Sequence, residues 1–101
     1  MAKPFQYRFA WDSRKAQQNL KNHKIAFERA ATTFLDPEAL SEFDDDHSEE
    51  EDRWLTLGVD RTGTLLVVSH TYREETENSA TIRLLSARRA TKKESKQYTR
   101  E

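Results

Sequence analysis

A chain of 101 residues, 35% charged and 35% hydrophobic with a net charge of −1, is the length of one domain with a small core and marginal stability. It has no cysteine, which excludes disulfides, thiolate catalysis and a cysteine-based zinc site, while ten aromatic residues argue against general disorder. The longest aliphatic run, Leu65 to Val68, is too short for a membrane-spanning helix. Residues Met1 to Lys24 are charged throughout and lack a signal-peptide core, so a cytoplasmic protein with no membrane contact is expected.

Phe5, Tyr7, Phe9 and Trp11 alternate with Gln6, Arg8 and Ala10, the period of a half-buried strand. Asp12 then caps a helix that runs through Ala16 and Leu20 to about His23. Phe27, Ala30, Ala31 and Phe34 share the face of a second, short helix, which Asp36-Pro37 ends. Ala39 to Phe43 reads as a short strand and Asp44 to Asp52 as an acidic loop. Arg53 to Asp60 and Thr64 to Arg73 form a hairpin across Asp60-Arg61-Thr62-Gly63. Glu74 to Ser79 reads as a polar loop. Thr81 to Arg88 has apolar groups on both faces and is expected to be a central strand. Thr91 and Glu94 match a capping box for a final helix bearing Lys92, Lys93, Lys96 and Tyr98.

The near-zero net charge hides a segregation. All nine charged residues from Glu38 to Asp52 are acidic, while Arg83 to Arg100 carries seven basic residues against Glu94 alone. Either the two segments neutralise each other inside the fold, or the basic one meets an anion outside it. Arg83 and Arg88 sharpen the choice, because an arginine in a central strand needs an anionic partner. Their spacing gives them opposite parity on a regular strand. A bulge or strand end near Ser86 must intervene if they serve one face. The three histidines, His23, His47 and His70, lack metal-ligand spacing, so neither metal nor cofactor is expected.

Several motifs carry a resemblance. Trp11-Asp12-x-x-Lys15, Asn19-x-x-x-His23 and Phe27-x-x-Ala30 are followed by Asp46-His47-Ser48, Glu51-x-Arg53 and Val67-Val68-x-His70-Thr71-x-Arg73. The close is Ile82-Arg83-x-x-Ser86-Ala87-Arg88-x-Ala90-Thr91, with Glu94 and Tyr98. Together these resemble the BrnT toxins of bacterial type II toxin–antitoxin systems over nearly the whole chain. The resemblance implies one RelE-like α+β domain over residues 1–101: a small antiparallel β-sheet flanked by two N-terminal helices and one C-terminal helix. It also implies a ribonuclease that cleaves RNA and arrests translation, and a BrnA-like ribbon-helix-helix antitoxin that binds operator DNA in a hetero-oligomer with the toxin. Two positions depart from the family pattern: Lys24 replaces a glycine after the helix, and Ala26 replaces a capping Ser, Thr or Asp.

Such cleavage needs a base for the 2′-hydroxyl, cations for the phosphorane charge and an acid for the 5′-oxygen. Arg83 and Arg88 are the first candidates for phosphate stabilisation; the bland alternative is an internal ion pair with Glu51 or Asp52. Arg73 and Lys15 are further cations, Lys15 being otherwise an ordinary surface lysine. His70 suits acid–base work or packs in the sheet beside Tyr72. Glu51 acts as base or orients Arg53. Ser86, Arg89, Lys92, Lys93 and Tyr98 are candidate RNA contacts; Ser86 otherwise closes a turn and Tyr98 otherwise anchors the last helix. The rival functions are a catalytically weak antitoxin-binding protein acting in operon autoregulation, and a non-enzymatic nucleic-acid-binding regulator.

Overall fold

The first strand is written in aromatic residues because it has only one neighbour, and large rings cover the core from its edge. In the computed structural model, which describes residues 4–99, this strand β1 (Gln6–Trp11) leads into α1 (Ser13–His23) and α2 (Phe27–Ala31). A 3₁₀ turn (Thr32–Leu35) precedes β2 (Leu40–Phe43), and the acidic loop holds another at Asp45–His47. The chain continues through β3 (Trp54–Val59), β4 (Leu65–His70), β5 (Arg73–Thr76) and β6 (Ser79–Arg89) to α3 (Lys92–Tyr98).

The strands form one sheet in the order β1-β6-β4-β3-β2, with β5 pairing β6 beyond the end of β4. The α+β class and the helix arrangement are as expected. The sheet, however, is mixed rather than wholly antiparallel, because β1 pairs β6 in parallel, from Gln6 with Ser79 to Trp11 with Leu84. No hairpin joins these two strands. Most of the chain lies between them, so a crossover is free to set either direction. The segment read as a polar loop from Glu74 to Ser79 also contains strand: Arg73 to Thr76 pairs back on Ser79 to Thr81. All four residues of β5 are exposed, so there was no polar–apolar alternation to reveal it.

One face of the sheet is covered by α1, α2 and the 3₁₀ turn. Its core holds Ile25, Phe27, Ala30, Leu66, Val68, Ile82, Leu84 and Ala87. Trp11 meets Phe27 edge-on at 5.9 Å between ring centroids, and Phe9 lies 5.6 Å from Phe34. Burial of this apolar surface is the main stabilising contribution. The opposite face is covered at one side by α3, and the acidic loop reaches it through Glu51. Gly58 faces the helical layer so closely that an added Cβ would lie 2.9 Å from the Thr33 methyl, which fixes how near the 3₁₀ turn approaches β3.

Helix α1 does not bury Leu20, which is 50% exposed; the buried residue is Asn19. Its amide nitrogen donates to the carbonyls of Ile25 and Ala87, both at 2.9 Å, and its oxygen accepts from the Ala87 N–H at 2.9 Å. Pairing with β1 ends at Leu84. Past that point Asn19 satisfies the edge of β6 in place of a strand.

The two departures noted in the sequence have visible effects. Lys24 adopts the left-handed conformation at φ 61° and donates its N–H to Leu20 O at 3.0 Å, so the closing turn forms without glycine. Ala26 stands at the start of α2 with no side-chain cap. Gly63, at φ 82°, closes the β3–β4 turn as expected.

Asn19→Ala should lower unfolding stability by about 3 kcal/mol in urea titrations, since three buried backbone groups lose their partner. Lys24→Gly and Ala26→Ser should each raise it by about 0.5–1 kcal/mol. An unchanged midpoint for Asn19→Ala would show that the clamp is dispensable.

Candidate active site on the open sheet face

The open face is organised by an irregularity in β6. Ser69 pairs with Ser86 and His70 with Leu84, so Leu85 is an extra residue opposite β4. Alternation restarts after this bulge. Ile82, Leu84 and Ala87 all face the helical layer, and Arg83 and Arg88 both fall on the opposite, open face. The parity conflict in the sequence is thereby removed.

The two arginines nevertheless lie in separate surroundings. Arg83 receives Glu51, at 2.5 Å from Nη2 to Oε2. Glu51 also approaches Arg53 Nη2, at 3.8 Å. The loop bearing Glu51 is closed at its base, where Asp44 N donates to Arg53 O at 2.8 Å and Ser48 Oγ accepts from Arg53 N at 3.0 Å. Arg73, largely exposed, pairs with Glu75 at 3.2 Å. Glu51, Arg73, Glu75 and Arg83 border one shallow depression of about 400 Å³, whose floor includes Ala10 and Thr81.

Arg88 lies farther along the strand and binds Glu94 through both guanidinium arms, at 2.8 and 2.9 Å. Glu94 also completes the capping box of α3, accepting from Thr91 N at 2.8 Å, while Thr91 Oγ1 accepts from Glu94 N at 3.2 Å. The Arg88 hydrogen bonds, reinforced by those from Thr91, hold the Glu94 carboxyl down at about 2 although burial opposes this, and Glu94 in turn raises Arg88. Ser86, exposed, stands between the two arginines.

His70 is 3% exposed and belongs to the helical face. It packs edge-on against Phe34 at 4.8 Å, rather than beside Tyr72. Nδ1 lies 3.0 Å from the Thr71 carbonyl and Nε2 lies 2.6 Å from Thr56 Oγ1, which in turn lies 2.7 Å from Ser41 Oγ. The carbonyl can only accept, so the proton sits on Nδ1 and Thr56 donates to Nε2. Burial lowers the His70 pKa, against a smaller opposing effect of the Thr71 carbonyl. Thr71 N–H donates to Arg83 O at 3.0 Å, so the imidazole connects to the Arg83 backbone through one residue.

Lys15 is exposed in the first turn of α1, on the helix that covers the other face. Arg89, Lys92 and Lys93 are exposed near the start of α3. Tyr98 reaches back to Asp36, donating to Oδ2 at 2.7 Å, and so ties α3 to the sheet edge. Burial of Asp36 is outweighed by this hydroxyl and by the Val59 and Glu38 amides, which keep its carboxyl below the usual range. Glu94 as the partner of Arg88 was not read from the sequence, because its capping-box role already accounted for it. Among the described residues no group of three His, Asp or Glu side chains is placed to hold a metal, and no helix is long and apolar enough to cross a membrane.

Fold and site together describe a small α+β protein whose open sheet face presents arginines paired with carboxylates of the same chain. The family of the ribonuclease toxin BrnT of type II toxin–antitoxin systems matches residues 11–94, and the chain belongs to that family. It is a ribonuclease toxin whose partner is a protein antitoxin. The crystal structure of the Brucella abortus ribonuclease toxin BrnT, at 1.1 Å resolution, is similar in fold: it is 18% identical, with a TM-score of 0.58 over 86% of this chain and 100% of that one. No curated protein matches the sequence.

Stability should fall in two steps on acidification. His70 is held neutral, so its contribution is complete above the ordinary value of 6.5 and is lost as pH falls below it. Glu94 and Asp60 are both lowered to about 2 from 4.5 and 3.8; their contributions are complete above those ordinary values and are lost as pH falls towards about 2. Urea midpoints measured across pH should show both limbs, and His70→Gln should abolish only the upper one. An upper limb that survives in His70→Gln would assign it to another group.

Proposed function

We propose that this toxin cleaves single-stranded RNA on the open face, with the scissile phosphate seated between Arg83 and Arg73 and with no metal ion. The observation that supports this best is the Glu51–Arg83 contact: the guanidinium already holds an oxyanion beside a depression wide enough for a phosphate. An incoming phosphate takes the place of the carboxylate on Arg83. Glu51 is then left next to the substrate and accepts the 2′-hydroxyl proton. The 2′-oxygen forms its bond to phosphorus, the bond to the 5′-oxygen breaks, and that oxygen takes a proton from solvent. Arg83 and Arg73 stabilise the charge that develops on the phosphorane oxygens.

Arg88, Ser86, Arg89, Lys92 and Lys93 continue a cationic track for the RNA beyond this point. Tyr98 secures α3 through Asp36. His70 is a positioning residue in this scheme, since it is buried on the other face and acts on Arg83 through Thr71. Lys15 takes no part in the proton transfers. The antitoxin is a BrnA-like ribbon-helix-helix protein that covers the open face and carries the complex to operator DNA. Free toxin arrests translation in the cytoplasm by destroying RNA.

A second reading is favoured by one feature. Arg83 and Arg88 both have carboxylate partners within the chain, as structural arginines would. In that reading the chain serves as an antitoxin-binding scaffold with weak catalysis.

Inducing the toxin alone should arrest growth with visible RNA breakdown, and cleavage by purified protein should persist in excess chelator. Arg83→Ala should lower the cleavage rate by about 10²–10³-fold while the fold and the antitoxin complex survive. Intact RNA at good expression, or unfolding of Arg83→Ala, would favour the scaffold reading.

A further inference from the structure

Strand β1 contributes aromatic rings to the core through Phe9 and Trp11, and its alternate residues Gln6, Arg8 and Ala10 therefore lie on the open face. Arg8 pairs with Thr81 on β6, and Thr81 pairs on its other side with Arg73 on β5. A small residue is thus flanked by an arginine on each neighbouring strand. Ala10, the next residue of β1 on this face, pairs with Arg83. Given strand spacing of about 4.8 Å and about 6.6 Å between same-face residues along a strand, Arg8 and Arg83 are rooted about 8 Å apart. Arg8, Arg73 and Arg83 thus stand around Ala10 and Thr81 in the register of the sheet.

Arg8 differs from the other two in its electrostatics. Arg83 is matched by Glu51 and Arg73 by Glu75, whereas Arg8 is exposed and has no acidic partner among the described residues. A phosphate that binds Arg83 must displace a paired carboxylate; one that binds Arg8 breaks no ion pair among the described residues. Arg8 also borders a second open depression, of about 650 Å³, with Gln6, Asn78 and Ser79; Glu77 lines it too but makes no ion pair with Arg8. Gln6, Asn78 and Ser79 offer amide and hydroxyl groups to a nucleotide.

We infer that Arg8 forms a second phosphate-binding position, next to the Arg83 site, that holds the adjoining backbone phosphate of a single-stranded RNA. The substrate then runs from β6 out across β1 and over the Gln6–Asn78 depression. This rests on the open-face reading of the cleavage site. In it Arg8 supplies binding that is equal in ground and transition states, so it acts on KM rather than on kcat.

Two measurements on the full chain test this. Cleavage of a single-stranded oligoribonucleotide by Arg8→Ala should show KM raised about tenfold with kcat within about twofold of the unaltered protein, the pattern of lost uniform binding. Binding of a 2′-O-methyl oligonucleotide, which lacks the attacking hydroxyl, should become less salt-dependent, the logarithmic slope falling by about 0.7 for one lost phosphate contact. Arg8→Lys should recover most of the slope. Unchanged KM and slope in Arg8→Ala would overturn the inference, as would a fall in kcat at constant KM. Weakened antitoxin binding with normal RNA binding would reassign Arg8 to the protein partner and also overturn it. Arg83→Ala separates the two levels: full cleavage by that variant removes the open-face reading itself, whereas a silent Arg8→Ala removes only the β1 position.

Discussion

The architecture depends on how β6 is held where β1 stops. This strand is the hub of the sheet, pairing with β1, β4 and β5, and it continues beyond its last parallel partner at Leu84. The exposed backbone groups of Ala87 would otherwise be buried without partners under α1. The Asn19 side chain supplies both a donor and an acceptor there, and with its second N–H takes the Ile25 carbonyl at the turn into α2. One amide thus joins a helix, the turn after it and the central strand. Everything on the open face inherits its position from this strand.

Charge is distributed so that the protein resembles its own complex. The acidic loop reaches the basic sheet through Glu51, and Glu94 performs the same service for Arg88. Exposed ion pairs of this kind contribute little to stability. Their larger effect is to set what a competing anion must displace. Phosphates enter against carboxylates already in place, which favours ligands bearing several phosphates over single ones. A polyanion such as RNA gains from that arrangement, since its neighbouring charges meet cations that have no internal partner.

Much of the fold was legible because the core follows simple periods. The start of the helix at Phe27, the Gly63 turn and the Thr91–Glu94 box appear where those rules place them, although the helix gives way to a 3₁₀ turn before Phe34. What escaped detection has definite physical causes. The direction of β1 against β6 depends on a long crossover, which no local pattern records. β5 is solvated on both faces. The burial of Asn19 left no apolar signal, because it is compensated entirely by hydrogen bonds. Among the candidate site residues, Arg83, Glu51 and Arg73 were readable as charges that needed partners, and they border one depression. The strand position of His70 could be read, but not its face: the imidazole is enclosed by Phe34 and Thr56, from elements distant in sequence. Arg8 gave no signal, since an exposed arginine on an edge strand is unremarkable until its neighbours across the sheet are known.

The bulge at Leu85 makes the pairing of β6 as consequential as its composition. With Leu85 set aside as the extra residue, Ala87 faces the helical layer and Arg88 the solvent; regular pairing straight through Leu85 would exchange them. Arg88 would then point into the apolar layer under α1, and the Glu94 cap would face away from it. Within a lineage, a β6 that lacks the extra residue would keep Arg88 on the open face by pairing regularly, whereas a β6 that keeps the residue must also keep the bulge.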